Sequence, residues 1–228
     1  MPIRRTKKRY VPRRRRNFKR KRFGRPRMAI QRQVGPVADA QLVKLTYSTN
    51  LTTASTSTPV TQILQTSLFD PYQGAGGHQP LGRDQWDNFY QRYRIYGMKY
   101  DIVAINTSTT NQVDVSVIYK PTTSTASTQD QMWELPNSYP RVLGIEGAGN
   151  ATTRFKGYMS VARVWGISNQ RVNNDDIFQA LFGANPSRMA YLHCSSITSD
   201  AASASTVRWR IRVTYYCKLF ERRTLVIS

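Results

Sequence analysis

Cationic side chains are the first residues whose number and spacing predict a chemistry. The first 32 residues contain 16 of the 34 Lys and Arg residues, and no acidic residue precedes Asp39. The other 196 residues carry 18 basic and 13 acidic residues, so most of the formal net charge of +21 belongs to this one segment. The sixteen cations are Arg4, Arg5, Lys7, Lys8, Arg9, Arg13, Arg14, Arg15, Arg16, Lys19, Arg20, Lys21, Arg22, Arg25, Arg27 and Arg32.

This segment lacks the means to fold by itself. Its like charges repel, its apolar residues are few, and Pro2, Pro12 and Pro26 interrupt any helix. The tryptophans and most of the tyrosines lie further along the chain. We therefore predict a disordered basic N-terminal arm over residues 1–37 and one folded domain over residues 38–228.

The arm has the chemistry of nucleic-acid binding. Each Lys or Arg near a phosphate releases condensed counterions, which gives tight, salt-dependent binding without base specificity. Tyr10, Phe18 and Phe23 could stack on unpaired bases. A solubilising tail is the alternative, although solubility does not require sixteen charges of one sign. These charges do not distinguish DNA from RNA. They also predict a nuclear localisation signal at Arg13, Arg14, Arg15, Arg16, Lys19, Arg20, Lys21 and Arg22.

Residues for catalysis are scarce. The chain has two histidines, His78 and His193, and no CxxC or HExxH motif. Cys194 follows His193, but neighbouring strand residues point to opposite faces and cannot easily share a metal ion. We expect no enzyme activity, no metal site and no cofactor. No stretch approaches 18 consecutive apolar residues, so we expect no membrane insertion. Without a secretory signal, Cys194 and Cys217 are predicted to be reduced thiols.

The elements that carry the remaining cations are predicted to be β-strands. The alternation of apolar and polar residues is clearest at 207–219, where Val207, Trp209 and Ile211 alternate with arginines. The same alternation recurs at 42–51 and 152–163. Eight short strands separated by turn-rich segments favour an all-β sandwich.

Helical signals are short and fall between the strands. Asp84 is a candidate cap for a helix through Phe89 and Tyr90. Asn174 or Asp175 could cap another through Leu181, and 129–135 is a third possibility. We expect insertions in loops rather than a helical layer.

Three features together resemble the capsid proteins of circular single-stranded DNA viruses of the circovirus-like group. They are the arm with its clusters Arg13–Arg16 and Lys19–Arg22, the aromatic-rich segment Trp86–Tyr100, and the long closing strand Val207–Leu219. The resemblance implies an eight-stranded antiparallel jelly roll with sheets B-I-D-G and C-H-E-F. In chain order the strands would be B 41–52, C 60–68, D 94–106, E 112–120, F 140–146, G 152–163, H 188–198 and I 206–220.

The resemblance also implies a function. The chain would assemble with itself into a small icosahedral shell, with 60 copies in the simplest case, and would package single-stranded DNA through its arm. A host nuclear import receptor would be a second partner, and the locations would be the virion and the host nucleus; no attachment receptor can be named. Two alternatives stay open, the coat protein of a single-stranded RNA virus and a ribosomal or other RNA-scaffold protein.

The strand mapping adds nucleic-acid contacts outside the arm. The polar faces of B, G and I would be basic, and all three strands belong to one sheet. A solvated face balanced by acids elsewhere is the alternative interpretation. The predicted contacts are Lys44, Arg154, Lys156, Arg208, Arg210 and Arg212.

Overall fold

The computed structural model describes residues 37–199 and 204–223. The sixteen arm cations and the predicted nuclear localisation signal therefore lie outside the described residues. No helix within the described ranges is both long and apolar enough to cross a membrane.

Nine strands dominate the described part of the chain, and its helices have five or six residues each. The strands are β1 (Ala40–Ser55), β2 (Val60–Gln65), β3 (Tyr90–Asn106), β4 (Val113–Lys120), β5 (Ser138–Leu143), β6 (Thr152–Ser160), β7 (Gln179–Leu181), β8 (Tyr191–Thr198) and β9 (Ser205–Arg222). The helices are α1 (Arg83–Asp87), α2 (Gln129–Glu134), α3 (Val161–Trp165) and α4 (Asn169–Asn174), and a 3-10 turn spans Asp176–Phe178.

The strands form two antiparallel sheets. The first has the order β1-β9-β3-β6, and the second has the order β2-β8-β4-β5. With β1 to β6 taken as B to G, and β8 and β9 as H and I, these orders are B-I-D-G and C-H-E-F. The predicted all-β jelly roll is therefore confirmed. The short strand β7 is an addition that pairs with β3 at residues 92–94.

Strand β9 organises the first sheet because it pairs with both β1 and β3 along most of its length. Its inward side chains are at most 2% exposed, as the alternation predicted. They pack between the sheets with Leu45, Tyr47 and Ile102. Burial of apolar surface on this scale is the main force that holds the sandwich together. The inward side chains of β9 are Val207, Trp209, Ile211, Val213, Tyr215, Cys217 and Leu219.

A buried hydrogen-bond cluster links the two sheets at one end of the core. The indole N–H of Trp209 donates to Thr53 Oγ1 over 3.1 Å. Thr53 Oγ1 lies 2.9 Å from Ser196 Oγ on β8, and Ser55 Oγ donates to Ser196 Oγ over 2.6 Å. All four side chains are buried. The cluster satisfies polar groups that would otherwise be costly to bury, and it connects β1 and β9 to the opposite sheet.

Three predicted strands end earlier than expected. Strand F was predicted to reach residue 146 and ends at Leu143. Strand G was predicted to reach residue 163, but β6 ends at Ser160, whose Oγ accepts from the N–H of Arg163 and caps α3. The apolar residues Met159 and Val161 continue the strand alternation across this boundary, so the sequence pattern did not indicate that the strand ends at Ser160. Strand C was predicted to reach residue 68 and ends at Gln65.

The helix near Asp84 was also predicted incorrectly. Gly82, with φ of 83°, occupies the cap position, and Asp84 lies in the first turn of α1 instead. The helix stops at Asp87, because Tyr90 already belongs to β3. Of the two aromatic residues that suggested a longer helix, Phe89 lies in the turn after α1 and Tyr90 is the first residue of β3.

Of the other two predicted helices, one is confirmed and one is only partly correct. The helix at 129–135 is confirmed as α2, and Thr128 Oγ1 accepts from the N–H of Gln131 at its start. Asp175 is a cap, as predicted, and its carboxylate accepts from the N–H of Ile177. The helix it starts is only a 3-10 turn, since residues 179–181 pair with β3. Helix α4 was not predicted.

Thr53 gives a stability prediction. Replacing Thr53 with valine keeps the shape but leaves the Trp209 N–H without its buried acceptor. We expect Thr53→Val to lower the free energy of unfolding by about 1–3 kcal/mol in chemical denaturation. Thr52→Val is the matched control, because Thr52 is exposed on the opposite side of β1. Equal effects of the two changes would contradict a linking role for the cluster.

The cysteines give a second prediction. Cys194 and Cys217 are free and buried, as predicted. Burial raises the pKa of both thiols, that of Cys217 to about 12. Because the thiolate is the reactive form, neither should be alkylated in the native protein, and both should react after unfolding. Mass spectrometry after alkylation measures this, and a Cys194–Cys217 disulfide would refute it.

Candidate nucleic-acid interface

The outward side of the first sheet is lined with cations. In β9 the buried side chains alternate with Arg208, Arg210 and Arg212, which are exposed. Lys99 of β3 is exposed between the buried Met98 and Tyr100. We call this surface the basic face; its cations are Lys44, Lys99, Arg154, Lys156, Arg208, Arg210, Arg212 and Lys218.

Strand register brings the predicted body contacts together across the sheet. Arg210 pairs with Val103, which in turn pairs with Arg154 on β6. Arg212 pairs with Asp101, which in turn pairs with Lys156. Lys44, further along β1, lies opposite Tyr216. The structure therefore places all six predicted body cations on the same face, and adds Lys99 and Lys218.

Asp101 is the acid that lies among these cations. The Arg154 guanidinium donates to its carboxylate through Nε over 2.6 Å and Nη2 over 2.5 Å. These hydrogen bonds hold the pKa of the Asp101 carboxyl below its ordinary value. Lys156 Nζ lies 4.0 Å from the same carboxylate. The charge of Arg154 is therefore balanced within the chain.

Arg208, Arg210 and Arg212 have a different environment. None of the ion pairs found between described residues involves any of the three. Their Cα atoms are about 7 Å apart along the strand, so their charges repel. The four strands of this sheet contain one further acid, Glu221, which lies at the end of β9 and pairs with Arg92. All three guanidiniums remain available to an external anion. Arg212 lies opposite Asp101 in the register, and its charge contributes to lowering the pKa of that carboxyl.

A shallow depression of about 310 Å³ lies beside Arg210 and Arg212. Ser48 and Asn50 of β1 line one side of it, and Asp101 and Arg154 line the other. Guanidinium, amide and hydroxyl groups are the side chains that most often contact phosphate and sugar oxygens. The geometry suits a flexible polyanion, with Asp101 as an opposing charge at one edge.

The basic face has a boundary where the β6–β8 connection covers the sheet. Arg94 of β3 is buried there: its guanidinium donates to the backbone carbonyls of Asn173 and Asp175 and to Gln179 Oε1. It also lies 5.4 Å from the centre of the Phe220 ring. This arginine anchors the connection to the sheet and is not available to a ligand. Arg94 and Arg212 differ in accessibility because the β6–β8 connection covers Arg94 but not Arg212.

His193 contributes to the structure of the second sheet and its connections. His193 and Cys194 point to opposite sides of β8, as predicted. Cys194 packs in the core, and His193 Nε2 donates to the Thr122 carbonyl over 3.0 Å. Burial lowers the pKa of His193 to about 4, so the ring is neutral at pH 7. Within residues 37–199 and 204–223, no group of three His, Cys, Asp or Glu side chains could hold a metal ion.

Sequence reasoning missed an aromatic component of this face. Neither Tyr158 nor Lys99 was assigned to the outward side from the sequence. The rings of Tyr158 and Tyr216 meet at 5.6 Å, and Lys44 Nζ lies 5.3 Å from the Tyr216 ring centre. The alternation within 152–160 places Tyr158 on the same side as Arg154 and Lys156, so the signal was present in the sequence.

Comparisons with known proteins give similarities of structure only. No protein-family model matches the chain, and no curated protein sequence matches it. The capsid protein of BFDV, in a decameric crystal structure, is similar at 12% identity and a TM-score of 0.45, over 80% of this chain and 99% of that one. A tobacco necrosis virus chain is similar at 14% identity and a TM-score of 0.44, over 83% and 86%. A Desmodium yellow mottle tymovirus chain is similar at 12% identity and a TM-score of 0.42, over 85% and 95%. The jelly-roll assignment rests on the strand order and register described above.

Proposed function

We propose that this protein is a viral capsid protein that assembles into a small icosahedral shell and packages single-stranded DNA. The observation that carries the proposal is a jelly roll whose B-I-D-G sheet exposes three unpaired arginines, in a chain that also has sixteen arm cations. The arm has no acidic residue among its cations, and the three arginines form no ion pair with the described residues. Both sets of cations need an external polyanion with many negative charges to neutralise them.

The arm supplies most of the neutralising charge. If 60 copies assemble, their arms bring on the order of a thousand positive charges into one particle, enough for a similar number of phosphates. The basic face adds cations held in fixed positions on a folded sheet. In the infected cell the same arm would be recognised by a nuclear import receptor, and the protein would be found in the host nucleus and in the virion.

Exposed apolar side chains support self-association. Leu81 is 88% exposed, and Phe69, Phe89, Trp133 and Leu181 are also exposed. All five lie in the three long connections, β2–β3, β4–β5 and β6–β8. Contacts between copies would remove these side chains from water, which is favourable for apolar groups. The three connections therefore carry side chains suited to contacts between copies of the chain.

Removal of residues 2–32 tests the proposal. The truncated protein should keep a cooperative unfolding transition, since the core described above does not include those residues. Electron microscopy of the full chain should show closed particles of uniform diameter, and the co-purifying nucleic acid should be sensitive to DNase. Truncation should remove most of that nucleic acid and abolish nuclear accumulation.

Three outcomes would contradict this proposal. A full chain that remains monomeric under all conditions would exclude a capsid role. Nucleic acid sensitive to RNase but not to DNase would favour the RNA-virus coat protein. Loss of cooperative unfolding on truncation would make the arm part of the fold.

The basic face gives a separate prediction. Replacing Arg208, Arg210 and Arg212 together with glutamine should leave folding intact, because all three side chains are exposed. The slope of log affinity against log salt for a single-stranded oligonucleotide should become shallower by about 2. Asp101→Asn should act in the opposite direction and raise the affinity, since it removes the acid of this face.

Single changes provide the matched control for this test. Arg210→Gln should weaken binding, whereas Arg141→Gln, at an exposed position of β5 in the other sheet, should not. If the triple replacement leaves binding and its salt slope unchanged but breaks particles into subunits, these arginines belong to a subunit interface instead.

A further inference from the structure

Two tyrosine rings lie among the cations of the basic face. Tyr158 of β6 and Tyr216 of β9 meet edge to face, with ring centres 5.6 Å apart and an interplanar angle of 81°. Tyr158 is 50% exposed, so part of its side chain is accessible from solvent. A fixed pair of rings, one of them accessible, can serve as a stacking surface for another planar group.

The local backbone holds Tyr158 in this position. Gly97 of β3 lies between the two tyrosines, opposite Tyr216 in the register and next to Lys99. A Cβ atom at Gly97 would meet the Tyr158 hydroxyl at 2.5 Å and the Met159 carbonyl at 2.4 Å. Only glycine lets the Tyr158 ring lie across β3 towards Tyr216. The ring orientation is therefore built into the sheet.

Cations surround the tyrosine pair. Lys44 Nζ lies 5.3 Å from the centre of the Tyr216 ring, on the β1 side. Lys99 pairs in register with Tyr158, and its side chain is exposed beside it. Lys156 precedes Tyr158 by two residues on the same side of β6. Phosphates bound by these lysines would hold a strand with its bases within reach of the rings.

A depression of about 500 Å³ lies on the other side of Tyr158. The Tyr158 ring forms one wall, and Arg163 at the end of α3 contributes a cation. Ser160, Ser168 and Asn169 supply polar groups at its edge. A planar base could enter next to the tyrosine and meet hydrogen-bonding groups along its rim. Bases paired inside a duplex are already stacked and could not reach this position.

We propose that Tyr158 and Tyr216 form a stacking platform for unpaired bases, which gives the basic face a preference for single-stranded over double-stranded nucleic acid. This inference rests on the proposed function and adds to it the residues by which the folded domain would distinguish a single strand from a duplex. The occupant is a single-stranded segment whose phosphates lie on the cations of the basic face. Aromatic side chains flanked by cations are the usual means of binding single strands without sequence preference.

Photo-crosslinking of the full-length protein tests the platform directly. The probe is an oligodeoxythymidine that contains 5-iododeoxyuridine, which crosslinks to the aromatic ring it stacks on, and mass spectrometry locates the crosslinked residue. We expect crosslinks at Tyr158 or Tyr216. The arm can bind elsewhere on the same probe without changing which body residue is crosslinked.

Binding competition gives a second readout. Tyr158→Ala should reduce the ratio of single-stranded to duplex affinity by roughly tenfold. A loss of this size lies within the range expected when one base loses its stacking on an aromatic ring. Tyr139→Ala is the matched control, because Tyr139 is 45% exposed but lies on β5 in the other sheet. It should leave the ratio unchanged. Unchanged particle formation in both variants would show that neither fails to fold.

Failure of this inference can be separated from failure of the proposed function. Particles that form and package DNA, yet show no crosslink at Tyr158 or Tyr216 and no change in the affinity ratio, would overturn the platform alone. Particles that disassemble in Tyr158→Ala, with an unchanged ratio, would also overturn it and make the tyrosine pair a contact between copies. Absence of both particles and nucleic-acid binding in the unmodified chain would overturn the proposed function.

Discussion

The alternation of side chains along β9 is the constraint on which the rest of the structure depends. Every second residue from Val207 to Leu219 is buried, while Arg208, Arg210 and Arg212 point away from the core. A shift of one residue in its pairing with β1 and β3 would exchange the two sets. Three guanidiniums would then enter an apolar core without partners, at a cost that the fold could not offset. The same strand therefore determines where the core lies and where the cations are displayed.

The two faces of the first sheet are held in place by different forces. On the inner face, apolar packing is joined by the buried cluster of Thr53, Ser196 and Trp209, which connects the sheets through directional hydrogen bonds. Apolar contacts alone tolerate small displacements between sheets, whereas a cluster of buried donors and acceptors does not. The outer face can consequently keep its cations in fixed positions despite their mutual repulsion.

Charge on the outer face varies over short distances. Arg154 is neutralised by Asp101, and Arg94 is buried beneath the β6–β8 connection. Arg208, Arg210 and Arg212 have no such partner in the described residues, and Lys44 and Lys99 lie beside the tyrosine pair. Binding capacity is thus concentrated along β9 and on its two neighbouring strands, β1 and β3. This distribution would place a phosphate chain beside the open ring of Tyr158.

Features of the fold and of the basic face could be predicted from the sequence where they depend on residues close together along the chain. The alternation in β9 and β1 and the outward direction of the body cations follow from the two-residue period of a strand, which is local. The prediction of a helix through Tyr90 was wrong, and the end of β6 was not predicted. In both places an apolar residue at a given spacing fits a strand, a turn or a short helix equally well. Only pairing with distant strands decides between them. The strand order itself was inferred from resemblance, since no local pattern contains it.

The concentration of charge in the first 32 residues, the scarcity of catalytic side chains and the alternation along the strands can all be read from the sequence. They depend only on composition and on neighbours along the chain. Which cations are free depends instead on contacts between distant segments. Arg94, Arg154 and Arg212 are all strand residues with the same charge. Arg94 is buried by a connection that contacts it 79 residues further along the chain, Arg154 is paired with an acid 53 residues away, and Arg212 is exposed. Pairing and burial of a long charged side chain depend on what other segments bring to it, and strand register across the sheet sets those distances.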